Sequence, residues 1–153
     1  MNRIGAWQME WLKIDAGIDP RELWELGVRL HGHRGPFLAC GIRMGLLALR
    51  LLDSAGYSGI EAVAETGSTP PVSCLVDGLQ VSTGCTVGKG NLMVVEGGRP
   101  AARFSAGGRT VRIALREEAA EEILANRAGE EQVEWVFTAS EEELFTWEPS
   151  PSN

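Results

Sequence analysis

Residues 31–52 read HGHRGPFLACGIRMGLLALRLL, and this stretch decides the fold. Two glycines and a proline within residues 31–36 break any helix that reaches them, which predicts a tight loop. Pro36 suits the first position of a new helix, where its missing N–H costs nothing. From there to Leu52 the chain is apolar on nearly all sides, apart from Arg43 and Arg50, seven residues apart and so on one stripe. The pattern predicts a long, central, buried helix. Residues 37–52 are too short and too charged to span a bilayer, so no membrane role is expected. Gly41 and Gly45 strip the bulk from one helix face and admit another backbone at close range.

Upstream, Asp19-Pro20-Arg21-Glu22 offers a side-chain cap, a proline at a tolerated position and a glutamate three residues after the cap. A helix is expected from there, with Leu23, Trp24, Leu26 and Leu30 as its apolar stripe. Downstream, residues 60–65 alternate partially and read as a short strand ended by Gly67-Ser68-Thr69-Pro70-Pro71. Residues 73–84 read as a short helix closing at Gly84. Residues 92–96, 101–105 and 110–115 are strand-like runs separated by glycine-rich connections, which predicts an antiparallel meander. Residues 117–125 and 130–138 look helical, and 148–153 are expected to form a flexible tail. Helices, then strands, then helices predict an α+β fold for a single domain spanning 1–153.

With 14 Lys+Arg against 21 Asp+Glu, the chain carries a net charge of −7, distributed unevenly. Residues 1–116 hold 13 bases and 10 acids, whereas residues 117–153 hold Arg127 against 11 glutamates. An acidic end and no basic cluster interleaved with aromatics argue against nucleic acid, where phosphate neutralisation supplies most of the affinity. Three cysteines, Cys40, Cys74 and Cys85, form no disulfide framework and point to a reducing compartment. Glu10 and Asp15 interrupt any apolar secretory run, so the expected address is the cytoplasm.

Both histidines fall within three residues, His31 and His33, in a glycine-rich loop before a helix N-terminus. Such a loop can turn two imidazoles onto one metal ion. The alternative is that one caps a helix or bonds a carbonyl while the other is solvated. Cys40, inside the apolar helix, reads as a small hydrophobe. Cys74 and Asp77 are three apart and share a helix face, with Gln80 near the same stripe. Cys85 lies just beyond that helix. Two histidines with one or two thiolates make a set suited to zinc, with nickel or iron as other divalent candidates, whereas a buried structural thiol is the other reading of each cysteine. Gly84-Cys85-Thr86-Val87-Gly88-Lys89-Gly90-Asn91 fails as an ATP-binding P-loop, because three residues separate its glycines and Gly90 follows the lysine. What remains is a loop whose amides and Lys89 could hold an anionic group, or which simply turns into a strand.

The run from His31 to Phe37, its continuation Gly41-Ile42-Arg43-Met44-Gly45, and the block from Cys74 to Leu92 resemble the FmdE family, which takes its name from a component of formylmethanofuran dehydrogenase. The resemblance implies an α+β domain, frequently a homodimer, with a metal- or thiol-containing pocket. On it, His31, His33, Cys74 and Cys85 are the expected metal ligands, with Asp77, Gln80 and Lys89 as expected contacts to a small anionic ligand. Gly35 stands where many relatives have a cysteine, which removes one sulfur donor. No cysteine follows Cys85, so the zinc ribbon many relatives add at the C-terminus is not expected. Three scattered cysteines cannot ligate a four-cysteine cluster, so neither an iron–sulfur cluster nor a pterin is expected on this chain. Two functions compete: a metal-binding domain whose pocket takes a small anion, and an accessory or interaction subunit without chemistry of its own, with Gly41 and Gly45 at a dimer seam.

Overall fold

A 3-10 turn at Pro20–Leu23, capped by the Asp19 carboxylate accepting from the Arg21 N–H at 3.0 Å, opens into helix α1, Trp24–His31. In this computed structural model, which describes residues 9–125 and 129–149, α2 follows at Pro36–Leu52. The chain continues with β1 Ile60–Ala64, α3 Cys74–Thr83, β2 Leu92–Val94, β3 Ala101–Ala106 and β4 Arg109–Leu115. It closes with α4 Glu117–Ala125, α5 Gly129–Thr138, α6 Glu141–Leu144 and β5 Phe145–Pro149. The fold is α+β, as the sequence predicts.

The five strands form one sheet in the order β2-β1-β3-β4-β5. β3, β4 and β5 make the antiparallel meander, with β1 antiparallel to β3 on its other side. The strand expected to start the meander, β2, instead pairs in parallel with β1, Ala62 opposite Leu92 and Ala64 opposite Val94. The helix between them is the reason: β1, α3 and β2 form a βαβ unit, whose strands run parallel because the helix returns the chain to its starting end. Residues 97–100 therefore carry the chain past β1 rather than turning a hairpin. Ile60, Ala62 and Ala64 on β1, Phe104 on β3, and Val111, Ile113 and Leu115 on β4 point to the core at period two.

α2 lies against β3 and β4 and is buried along almost its whole length. Its two arginines reach the acidic end of the chain. The Arg43 guanidinium donates to the carbonyls of Val136, Phe137 and Ala139 at 2.7, 3.2 and 2.9 Å, occupying the otherwise unpaired C-terminal end of α5. Arg50 pairs with Glu141 and donates to the Ala16 carbonyl at 2.8 Å.

The glycine face of α2 meets α3 of the same chain. A Cβ on Gly41 would stand 2.1 Å from the Leu75 carbonyl oxygen, and one on Gly78 2.3 Å from that of Leu38. A Cβ on Gly45 would stand 1.8 Å from Ser82 Oγ. These glycines thus serve an internal crossing, which corrects their expected use at a dimer seam. Residues 145–149 form the edge strand β5, so a tail starts no earlier than residue 150, and residues 150–153 lie outside the described residues. No helix among the described residues is long and apolar enough to cross a membrane.

Candidate functional site

His31 is the last residue of α1 rather than part of the loop. Gly32 caps the helix with a left-handed φ of 85°, which sends the chain back toward α2 and leaves both histidines at one end of the helical layer. The α2–α3 glycine crossing sets the N-terminal end of α3 beside them. There the His31 Nδ1 and Asp77 Oδ2 lie 2.7 Å apart, with the imidazole only 14% exposed. A protonated Nδ1 donates to the Asp77 carboxylate, which in the neutral imidazole leaves the lone pair on Nε2. A carboxylate holding one imidazole nitrogen in this way is the arrangement that orients metal-binding histidines. Asp77 thus has a partner in the chain itself, where the sequence suggested contact with a ligand.

His31, Cys74 and Asp77 line a cavity of about 300 Å³, together with Gly67, Ser68, Pro70, Ser73, Val76 and Val94. Cys74 also borders a second cavity of about 570 Å³, walled by His33, Arg34, Gly35, Pro36, Phe37, Pro71, Ile123, Leu124 and Gly129. The His31 and His33 ring centroids are 6.3 Å apart. The His33 ring packs against Gly35, where a Cβ would lie 3.1 Å from Nδ1. Burial, with the charge of Asp77 adding to it, pushes the Cys74 thiol up, so the free thiol is protonated at neutral pH.

Cys85, Lys89 and Gln80 do not join this group. Cys85 follows the far end of α3, a helix about 15 Å long. It is buried, its Sγ donates to the Ile60 carbonyl at 3.8 Å, and burial pushes its thiol up. Lys89 sits in the same far loop, donating to the Gly84 carbonyl and, at 3.0 Å, to Thr86 Oγ1. It lines an open concavity of about 720 Å³ with Trp11, Tyr57, Glu61 and Asn91. Gln80 borders neither cavity that Cys74 shares. Cys40 is fully buried and its thiol is pushed up to about 12, which fits a core residue. Sequence reasoning misses the 67–73 loop and the Ile123–Leu124 wall. Pro70-Pro71 registers in the sequence only as a strand terminator, and nothing local marks α4 as the neighbour of a loop some ninety positions earlier.

The donors present are chemically those of a zinc site, two imidazoles, a thiol and a carboxylate. Among the described residues, however, no three His, Cys, Asp or Glu groups already converge closely enough to hold a metal ion. The arrangement is an oriented imidazole beside a thiol, short of a finished coordination sphere.

Comparison with known proteins fits this architecture. A crystal structure of a tungsten formylmethanofuran dehydrogenase FmdE-like protein from Syntrophus aciditrophicus superposes with a TM-score of 0.63, covering 94% of this chain and 78% of that one. Its sequence identity is 21%, so the likeness is one of fold. An Archaeoglobus fulgidus protein named "Probable S-adenosyl-L-methionine-binding protein" is 39% identical over 77 residues, which is 46% of this chain and 20% of that protein. The chain thus spans about a fifth of that relative. The family model described as FmdE, molybdenum formylmethanofuran dehydrogenase operon, matches residues 30–146, from the end of α1 into β5, and the chain belongs to that family.

Proposed function

We propose that this chain is an FmdE-type domain that binds a divalent metal, zinc first, through His31, His33 and Cys74 at the N-terminal end of α3. The observation that supports it is the His31–Asp77 hydrogen bond of 2.7 Å beside Cys74. Because three donors do not converge beforehand, binding includes a turn of the His33 ring away from Gly35 toward Cys74. When bound, the metal supplies Lewis-acid polarisation of whatever coordinates beside it. Asp77 fixes the ring and tautomer of His31, and Cys74 gives up its proton. The first turn of α2, which has no side-chain cap, favours a small anionic ligand nearby. A homodimer remains part of the reading, with a seam other than Gly41 and Gly45.

The test is metal content of untagged protein after reconstitution with zinc, expected at about one ion per chain. His33→Ala and Cys74→Ser should each remove most of it, and Asp77→Asn should weaken binding about 10- to 100-fold. Cys85→Ser and Cys40→Ala should leave occupancy intact. Wild-type occupancy below about 0.2 per chain overturns the reading. Loss of metal in Cys85→Ser would move the site to the far end of α3. The unfinished donor set favours one second reading, an accessory subunit that docks on an oxidoreductase without chemistry of its own. The same low occupancy would support it.

A further inference from the structure

The concavity of about 720 Å³ at the far end of α3 has no part in the metal site, yet its volume is that of a small-molecule pocket, roughly 300–1,000 Å³. Trp11 and Tyr57 are its aromatic walls. Tyr57 takes a left-handed φ of 64°, which a bulky side chain rarely adopts. The surroundings hold it there: its N–H donates to the Thr83 carbonyl at 2.8 Å, and its own carbonyl accepts from Asn91 Nδ2 at 3.0 Å. Its ring packs on Gly84, where a Cβ would stand 2.3 Å from Cδ1. Backbone strain fixed in this way collects at ligand-binding places. Trp11 is 44% exposed, which leaves much of its indole open to a ligand. Two opposite charges face the same concavity. The Lys89 ammonium stands 6.0 Å from the centre of the Trp11 ring, and two of its three protons go to the Gly84 carbonyl and Thr86 Oγ1. The third is left for a ligand. Glu61 projects from the solvent side of β1 and, among the described residues, makes no ion pair. A single ammonium beside a carboxylate disfavours a polyanion, because like charges brought together cost affinity. A ligand with one charge of each sign satisfies both groups.

We infer that this concavity binds an aromatic α-amino acid, with the carboxylate on Lys89, the ammonium on Glu61 and the ring against Trp11 and Tyr57. The site is separate from the one at Cys74 and stands independently of the metal. Trp11 supplies the stacking surface for the ring, and Glu61 distinguishes the zwitterion from a simple aromatic acid.

The test is calorimetric titration of the full chain with L-phenylalanine, 3-phenylpropionate, phenethylamine and L-alanine. Phenylalanine should bind with a Kd below about 1 mM, and the other three, each lacking one charge or the ring, at least about tenfold more weakly. Trp11→Ala should weaken phenylalanine at least about tenfold without altering the circular dichroism spectrum, and Trp11→Phe should restore most of the binding. Glu61→Gln should bring phenylalanine and 3-phenylpropionate to parity. Leu26→Ser, at an exposed apolar residue outside this concavity, should change nothing. Absence of phenylalanine binding in the wild type up to about 10 mM overturns the inference. So does any of the other three probes binding as tightly as phenylalanine, or phenylalanine binding that survives Trp11→Ala. Cys74→Ser, which removes zinc on the metal-site reading, should leave phenylalanine binding unchanged. Loss of phenylalanine in that variant would place the ligand at the other end of α3 and overturn the inference, whereas zinc content measured on the same samples tests the metal site by itself.

Discussion

Three thiols with one covalent chemistry occupy three environments, and the environment decides what each can do. Cys40 and Cys85 are buried among apolar neighbours, whereas Cys74 is half-buried at the mouth of two cavities. Burial raises the thiol of each, and at Cys74 the negative charge of Asp77 raises it further. A water-soluble disulfide reagent should therefore modify about one thiol per native chain. Cys74→Ser should abolish that reaction, while denaturant exposes the other two. The rate should keep climbing above the ordinary thiol range, and Asp77→Asn should shift the profile to lower pH, because it removes a like charge. A second fast-reacting thiol in the native chain would count against this account. The residue types of the site are legible in the sequence, since both histidines and two cysteines fall in two blocks. Their grouping is not, because His31 and Asp77 are 46 positions apart and meet only where the end of α1 reaches the first turn of α3. Cys74 and Cys85 illustrate the gap: both expected as metal ligands by sequence, one opens α3 and the other follows its far end.

Elements with strong local signals can be read from the sequence, and those stabilised by distant partners cannot. Pro36 and the apolar run give α2, and Gly84, with φ 73°, ends α3 where expected. β2 has three residues with Met93 and Val94 exposed, so no alternation reveals which neighbour it joins. α6 does carry a signal, Ser140 followed three residues later by Glu143, which form a reciprocal capping box. The glycine pattern of α2 foretells close approach but not the approaching element, and Gly78 is its counterpart on α3. This crossing yields a contrast between two glycines. Gly41→Ala places a methyl group 2.1 Å from a backbone oxygen, which only a shift of α3 can relieve, and should cost about 3 kcal/mol. Gly32→Ala meets nothing within 4 Å and carries only the strain of a left-handed φ, about 1 kcal/mol. Because α3 carries Cys74 and Asp77, Gly41→Ala should also reduce zinc binding in molecules that remain folded. Chemical denaturation of both variants checks the order, and equal stability would show that the two helices have room between them for a methyl group.

At the scale of the molecule, guanidinium groups join the acidic C-terminal segment to the rest. Arg43 caps α5, Arg50 pairs with Glu141, and Arg116 donates to the Glu142 carbonyl at 2.6 Å. On the sheet, Arg112 of β4 reaches past β3 to grip Glu65 with two hydrogen bonds of 2.8 Å, with Arg99 also nearby. The Arg112 guanidinium holds the Glu65 carboxyl below the ordinary value of 4.5, against an opposing effect of burial. The consequence for stability has a definite sign. Between the folded and unfolded values the unfolded chain binds more protons, so stability rises with pH there. The contribution of Glu65 is complete above about pH 4.5 and is lost as pH falls through the lower folded value. Glu65→Gln should therefore lower stability at neutral pH by about 1 kcal/mol and lose less on acidification, so that its curve converges on the wild type below that range. Urea denaturation from pH 7 down to the acid limit of reversible folding measures both curves. Two curves that stay parallel throughout would mean that Arg112 holds Glu65 no more tightly than water does, and β1 and β4 would then be joined only through the β3 ladder between them.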